Sequence, residues 1–176
     1  MKGVIWRPLG IAALMVAAPV PADAQTGPLA VTGIDHVGIN VPDADRAIAF
    51  FAQLFGTHVL TDVRPAPISP AWKRRFHWHA SSRLKRMVML QEPDGSKIEL
   101  FQYAGPLMSR ARPHEDDAAE THIAFKAHDP EATLAAVRRL GLPVLNAPAT
   151  GPDGSRWVYM LTPWGSQIEL VFAPDG

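Results

Sequence analysis

The sequence predicts an α+β fold built from two tandem copies of one strand–helix–strands module. Three observations predict it. Asp35-His36-Val37-Gly38-Ile39 and Thr121-His122-Ile123-Ala124-Phe125 are short alternating segments around a histidine, each a strand pattern. Each is followed by a helix-start residue and apolar positions at helical spacing. Gly95-Ser96-Lys97-Ile98-Glu99-Leu100 is then repeated as Gly165-Ser166-Gln167-Ile168-Glu169-Leu170.

Each element has a local cause. Asp43 is placed to cap a helix from Ala44. Asp129 is placed to cap one with Pro130 at its first position, where a missing N–H costs nothing. The helices run through Ile48, Phe51, Leu54 and through Leu134, Val137, Leu140, and Gly56 and Gly141 stand where a left-handed terminator belongs. Further strands are expected at Met87 to Gln91 and Trp157 to Leu161. Pro93-Asp94 and Pro163-Trp164 form turns into the last strand of each copy. The histidines stand 86 positions apart and the glutamates 70, so the first copy carries about 16 extra residues, within Arg64 to Arg86. Module 1 spans about 31–103, the linker 104–119 and module 2 about 120–174. Copies this short are expected to share one core.

The chain has 176 residues, with 17 Lys+Arg and 17 Asp+Glu. A net charge of zero argues against nucleic acid as a partner, because neutralising phosphates needs a basic excess. There is no cysteine, which excludes disulfides, thiolate metal sites and thiol nucleophiles. No apolar run is long enough for a permanent membrane span. Residues 1–24 read as a signal peptide: Lys2 and Arg7, an apolar stretch from Leu9 to Ala18, then Ala22-Asp23-Ala24 as the cleavage pattern. The mature domain is then 25–176, exported to a periplasm or the medium, and it stays near neutral.

Residues two apart in a strand share a face. His36, Gly38 and Asn40 therefore oppose Val37, Ile39 and Val41, and Lys97, Glu99 and Phe101 oppose Ile98, Leu100 and Gln102. Module 2 repeats this, with His122, Ala124, Lys126 and Gln167, Glu169, Val171 on the polar faces. The apolar faces are expected to pack under the helices. Gly38 and Ala124 beside the histidines are expected to leave room for a ligand. Two histidines and two glutamates at repeated positions offer two nitrogen and two oxygen donors, a set that suits a divalent first-row metal.

These same segments (DHVGINV, GSKIELF, THIAF and WGSQIELV) closely resemble the vicinal oxygen chelate superfamily. That superfamily includes glyoxalase I, methylmalonyl-CoA epimerase, extradiol dioxygenases and the fosfomycin and bleomycin resistance proteins. The resemblance covers about Val31 to Pro174. It implies paired βαβββ modules whose curved mixed sheets form a cup around one metal, with His36, Glu99, His122 and Glu169 in the four ligand slots. It implies Zn, Ni or Co for isomerase chemistry and Fe or Mn for oxygen chemistry. It also implies a metal-bound glutamate as catalytic base, Glu169 first and Glu99 as its near-symmetric rival. The function expected is a glyoxalase I-like lyase or isomerase that removes a proton next to a carbonyl of a small oxygen-chelating substrate. The alternatives are an extradiol-type dioxygenase and a non-catalytic binding protein of the bleomycin-resistance kind. A homodimer is the default assembly.

The insertion is expected to choose the substrate. Between Val63 and Gln91 there is no acid but seven basic residues: Arg64, Lys73, Arg74, Arg75, Arg83, Lys85 and Arg86. Arg74, Arg75 and Trp78, with Trp157 and Tyr159 from module 2, are the expected contacts to an anionic or aromatic ligand. A solvated basic loop is the competing reading. His77 and His79 are second-choice metal ligands that would share a face in a strand. Trp164 is expected in a turn at the pocket rim. The acidic cluster Glu115, Asp116, Asp117, Glu120 is expected to be solvated or to pair with the basic loop.

Overall fold

The computed structural model describes residues 31–118 and 120–174. The signal-peptide segment lies outside the described residues. Val31–Ile34 carry no regular element, and the compact unit that holds every helix and strand among the described residues begins at Asp35. No helix among the described residues is long and apolar enough to cross a membrane.

Module 1 runs β1 (Val37–Val41), α1 (Ala44–Phe55), β2 (His58–Val63), α2 (Pro70–Arg75), β3 (Arg83–Gln91) and β4 (Lys97–Ala104). Module 2 runs β5 (Ile123–Ala127), α3 (Pro130–Arg139), β6 (Ala149–Thr150), β7 (Arg156–Leu161) and β8 (Gln167–Phe172). Each module builds one four-stranded mixed sheet, in the orders β1-β4-β3-β2 and β5-β8-β7-β6, and neither closes into a barrel. The first strand of each sheet is parallel to the last, as a helical crossover between them requires. The remaining pairs are antiparallel.

The helix ends follow the local chemistry. The Asp43 carboxylate accepts from the Arg46 N–H at 3.0 Å, and Asp129 accepts from Ala132 N–H at 3.0 Å with Pro130 first in its helix. Gly56 takes φ 69° and donates to the Ala52 carbonyl, closing α1 as only a residue without Cβ does cheaply. Ile98, Leu100, Ile168, Leu170 and Phe172 are buried on the faces turned to the helices, as the alternation predicts. Gln102 is the polar exception on that face. It accepts from the Ala44 N–H and donates to the Pro42 carbonyl, so it satisfies the start of α1.

Aromatic rings join the two modules into one core. Phe55 of α1 stacks on Phe125 of β5 with centroids 4.1 Å apart, and Phe50 and Phe51 meet Trp164 at 5.3 and 6.2 Å. Such ring pairs contribute about 0.5–1.5 kcal/mol each beyond simple burial. Trp164 does sit in a turn, but it is a core ring as well as a rim residue.

The insertion departs from the expected loop. Ser69 caps a one-and-a-half-turn helix, its hydroxyl accepting from the Trp72 N–H, and β3 already begins at Arg83. His77 has φ 55° and lies in a turn, so His77 and His79 do not share a strand face. Arg86 is not part of a solvated basic surface. It is buried and donates to Asp62 and Asp45 at 2.6–2.8 Å. Its guanidinium holds the Asp62 carboxyl below the usual carboxylate range.

Candidate functional site

The two modules place their histidine and glutamate identically. Gly38 pairs with Glu99 across β1 and β4, and Ala124 pairs with Glu169 across β5 and β8. Each histidine lies two residues before that small partner, hence on the same face. His36 Nε2 stands 3.2 Å from Glu99 Oε2, and His122 Nε2 stands 3.1 Å from Glu169 Oε2. The structure thus brings the four donors together as two pairs, one per sheet. Among the described residues, no three His, Asp or Glu side chains gather into a single ligand cluster.

The surroundings of the two pairs differ. In module 1, Asp35 Oδ1 lies 2.8 Å from His36 Nδ1, and Asp35 Oδ2 accepts from Lys97 Nζ at 2.8 Å. The bond to His36, then Lys97, holds the Asp35 carboxyl below its ordinary range. In module 2, Thr121 stands in place of Asp35. Gln167 stands in place of Lys97, buried, and it ties the linker down by accepting from Arg112 and donating to Glu115. In the acidic linker Glu115 pairs with Arg112 and Gln167 while Asp116 and Asp117 lie exposed, and among the described residues none forms an ion pair with the basic insertion. Tyr159 faces Glu169 across the strand pair, with its ring edge-on to His122 at 5.2 Å. Burial, then the Glu169 charge, pushes the Tyr159 hydroxyl up, so it stays a proton donor at neutral pH. The matching position opposite Glu99 is Met89, which offers no hydroxyl.

The donor chemistry fits a divalent cation. Asp35 beside Nδ1 of His36 favours the tautomer that carries its proton there, which would leave Nε2 to bind a cation beside the Glu99 carboxylate. Two lone pairs face each other comfortably only around a proton or a cation. His36 and Glu99, and likewise His122 and Glu169, would hold such an ion from their own sheets.

A cavity of about 710 Å³ opens between β1, the start of β5, the linker and the β7–β8 turn. His122, Tyr103 and Trp164 line it, with Arg110 and Arg112 from the linker, whereas His36, Glu99 and Glu169 are not among its lining residues. The expected cations Arg74 and Arg75 do not line it. They lie exposed on the last turn of α2. Trp78 reaches the sheet, where its ring meets Tyr103 edge-on at 5.0 Å, on the strand face that carries Glu99. Burial, then the Glu99 charge, pushes the Tyr103 hydroxyl up. Trp157 is half-buried against the Gly151 turn, two residues from Tyr159 on one face. Sequence reasoning missed Asp35, Arg110, Arg112 and Tyr103. The one visible signal was the carboxylate directly before His36. Gly38 lines the cavity, and a Cβ there would meet the Phe101 ring at 3.1 Å.

Residues 33–170 match the Glyoxalase/Bleomycin resistance protein/Dioxygenase superfamily, and the chain belongs to it. It is 35% identical over 149 residues to a 2-epi-5-epi-valiolone epimerase from Actinomyces sp, covering 81% of this chain and 80% of that protein. Its fold is similar to that of a glyoxalase family protein from Bacillus cereus, with a TM-score of 0.64, 20% identity, and coverage of 82% and 96% of the two chains. It is also similar to the fosfomycin resistance protein FosX from Listeria monocytogenes in complex with Mn(II) and sulfate. There the TM-score is 0.53 at 16% identity, covering 81% and 93%.

Proposed function

We propose that this chain is a metal-dependent isomerase of epimerase type. Its substrate is a small polyhydroxylated carbonyl compound that chelates through neighbouring oxygens, and its reaction is proton removal and return at the carbon beside the carbonyl. The observation that carries the reading is the pair of His–Glu couples at one register in two repeated sheets. The similarity to an epimerase supports it.

A divalent ion held by His122 and Glu169, with His36 and Glu99 as the matching pair on the other sheet, would supply Lewis-acid stabilisation of the charge that develops on the carbonyl oxygen. The rest falls to the protein. Glu169 takes the proton as general base, with Tyr159 and His122 fixing its carboxylate. Inverting a centre needs the proton returned on the opposite face. Glu99, the same residue on the other sheet, is assigned that role. Tyr103 and Trp78 close the Glu99 side against water, and Arg110 and Arg112 draw anionic or oxygen-rich groups into the cavity. The working compartment is proposed to be a periplasm or the medium, on the charged start, apolar stretch and A-x-A site within residues 1–24.

The test is proton exchange in D2O, followed by NMR with a panel of cyclic polyhydroxy ketones. Deuterium entering only the carbon next to the carbonyl, lost with a chelator and restored by a divalent ion, is the expected result. Oxygen uptake with a catechol, or tight binding of panel members without exchange, would replace the isomerase reading.

A further inference from the structure

We propose that the insertion of module 1 docks the protein onto an anionic lipid surface. The insertion holds two sets of aromatic rings with different surroundings. Trp78 packs on Tyr103 of the sheet. Trp72 and Phe76, one helical turn apart, instead stack on each other at 4.3 Å and are left 49% and 50% exposed. No other aromatic ring covers them among the described residues. Two large rings, one on a six-residue helix and one at its C-cap, are thus left half in water as an exposed apolar patch.

The charge around the rings is one-sided. Lys73, Arg74 and Arg75 lie between them in sequence, and Arg83 and Lys85 are exposed on the neighbouring strand. None of these five forms an ion pair among the described residues. No acidic residue lies anywhere from Val63 to Gln91 to neutralise them. The seventh cation of the segment, Arg86, is the one consumed by the fold.

A second feature adjoins this shelf. A cleft of about 190 Å³ is lined by Pro65, Pro67 and Ile68 together with Lys73, Arg83 and Lys85. Lys73 belongs to both the helix and the cleft. Apolar and cationic side chains together beside exposed rings suit a lipid interface. The cations meet headgroup phosphates, and the rings settle at the boundary with the acyl chains. Neither Trp72 nor Phe76 lines the larger cavity beside His122.

The test is co-sedimentation of the full chain with vesicles of phosphatidylcholine alone and of equal parts phosphatidylcholine and phosphatidylglycerol. Binding about tenfold stronger to the anionic vesicles, and weakening steeply with salt, is expected. The Trp72→Ala/Phe76→Ala pair and the Arg74→Glu/Arg75→Glu pair are each expected to weaken that binding about tenfold with an unchanged melting temperature. Equal binding to both vesicle types overturns the proposal. So does anionic binding that survives both double substitutions, which would then belong to another segment such as Leu9 to Ala18.

Discussion

Asp35 Oδ1 lies 2.8 Å from Nδ1 of His36, and the second histidine has no carboxylate in that place. Lys97 holds the other Asp35 oxygen, so Lys97, Asp35, His36 and Glu99 form one continuous polar chain. A carboxylate behind a ligating imidazole fixes its tautomer and raises its basicity as a donor. Asp35→Asn is therefore expected to weaken divalent-metal affinity roughly 10- to 100-fold. Thr121→Ala, at the matching position of module 2, is expected to change it little. Competition against a chromophoric chelator reads both values. Equal affinities for wild type and Asp35→Asn would remove Asp35 from this role.

The two glutamates are predicted to be unequal. Glu169 is flanked by His122 and Tyr159, whereas Glu99 faces His36 and a methionine across the strand pair. Glu169→Gln is expected to lower proton exchange roughly 10²- to 10⁴-fold while leaving the melting temperature near wild type. Tyr159→Phe is expected to act in the same direction but more weakly, since it removes the hydroxyl of the residue that faces Glu169 across the strand pair. Full exchange activity in Glu169→Gln would move the base to Glu99.

The legible part of this fold was the repeated part. Two copies of one pattern fix the strand register, so Gly38 opposite Glu99 and Ala124 opposite Glu169 follow once the copies are aligned. Caps were equally readable, because Asp43, Asp129 and Gly56 act on neighbours within four residues. What stayed hidden depends on partners distant in sequence. Arg86 looked like one cation among seven, yet its carboxylates come from α1 and β2. The neighbour that makes glycine necessary at position 38 was hidden because its ring belongs to another strand. Phe101 sits where module 2 has Val171, and the smaller glycine in place of Ala124 accommodates it. The cavity arginines lie in the linker, which has no periodicity to reveal which side chains face inward.

Arg86 is expected to be a stability residue. Arg86→Met keeps the apolar stem and removes the donors to Asp62 and Asp45. A fall of roughly 2–8 °C in Tm is expected, because two carboxylates lose charge-assisted hydrogen bonds. The acid dependence should change too. Asp62 is held low in the folded chain, so its contribution is full above the ordinary carboxylate pKa and is lost as pH falls through the lowered folded value. Arg86→Met should flatten that acid limb of the stability curve. A melting curve identical to wild type at both pH 7 and pH 3 would contradict the assignment.

Glu92 gives a pH dependence of opposite sign. Its Oε1 is buried at the β3–β4 turn with no hydrogen-bond partner among the described residues, where module 2 has Thr162. Burial, then the charge of Asp94, pushes its carboxyl up to about 7. In the unfolded chain the group titrates near 4.5. Between those two values the folded state holds more protons than the unfolded state, so stability falls as pH rises through the window. Above pH 7 the folded protein carries a charge in a site that disfavours it. Glu92→Gln removes the ionisation and keeps the size of the side chain. The variant is expected to melt higher than wild type at pH 8, with the gap closing below pH 5, in thermal denaturation followed by circular dichroism. A gap that stays constant between pH 5 and pH 8 would mean that Glu92 does not titrate in this window.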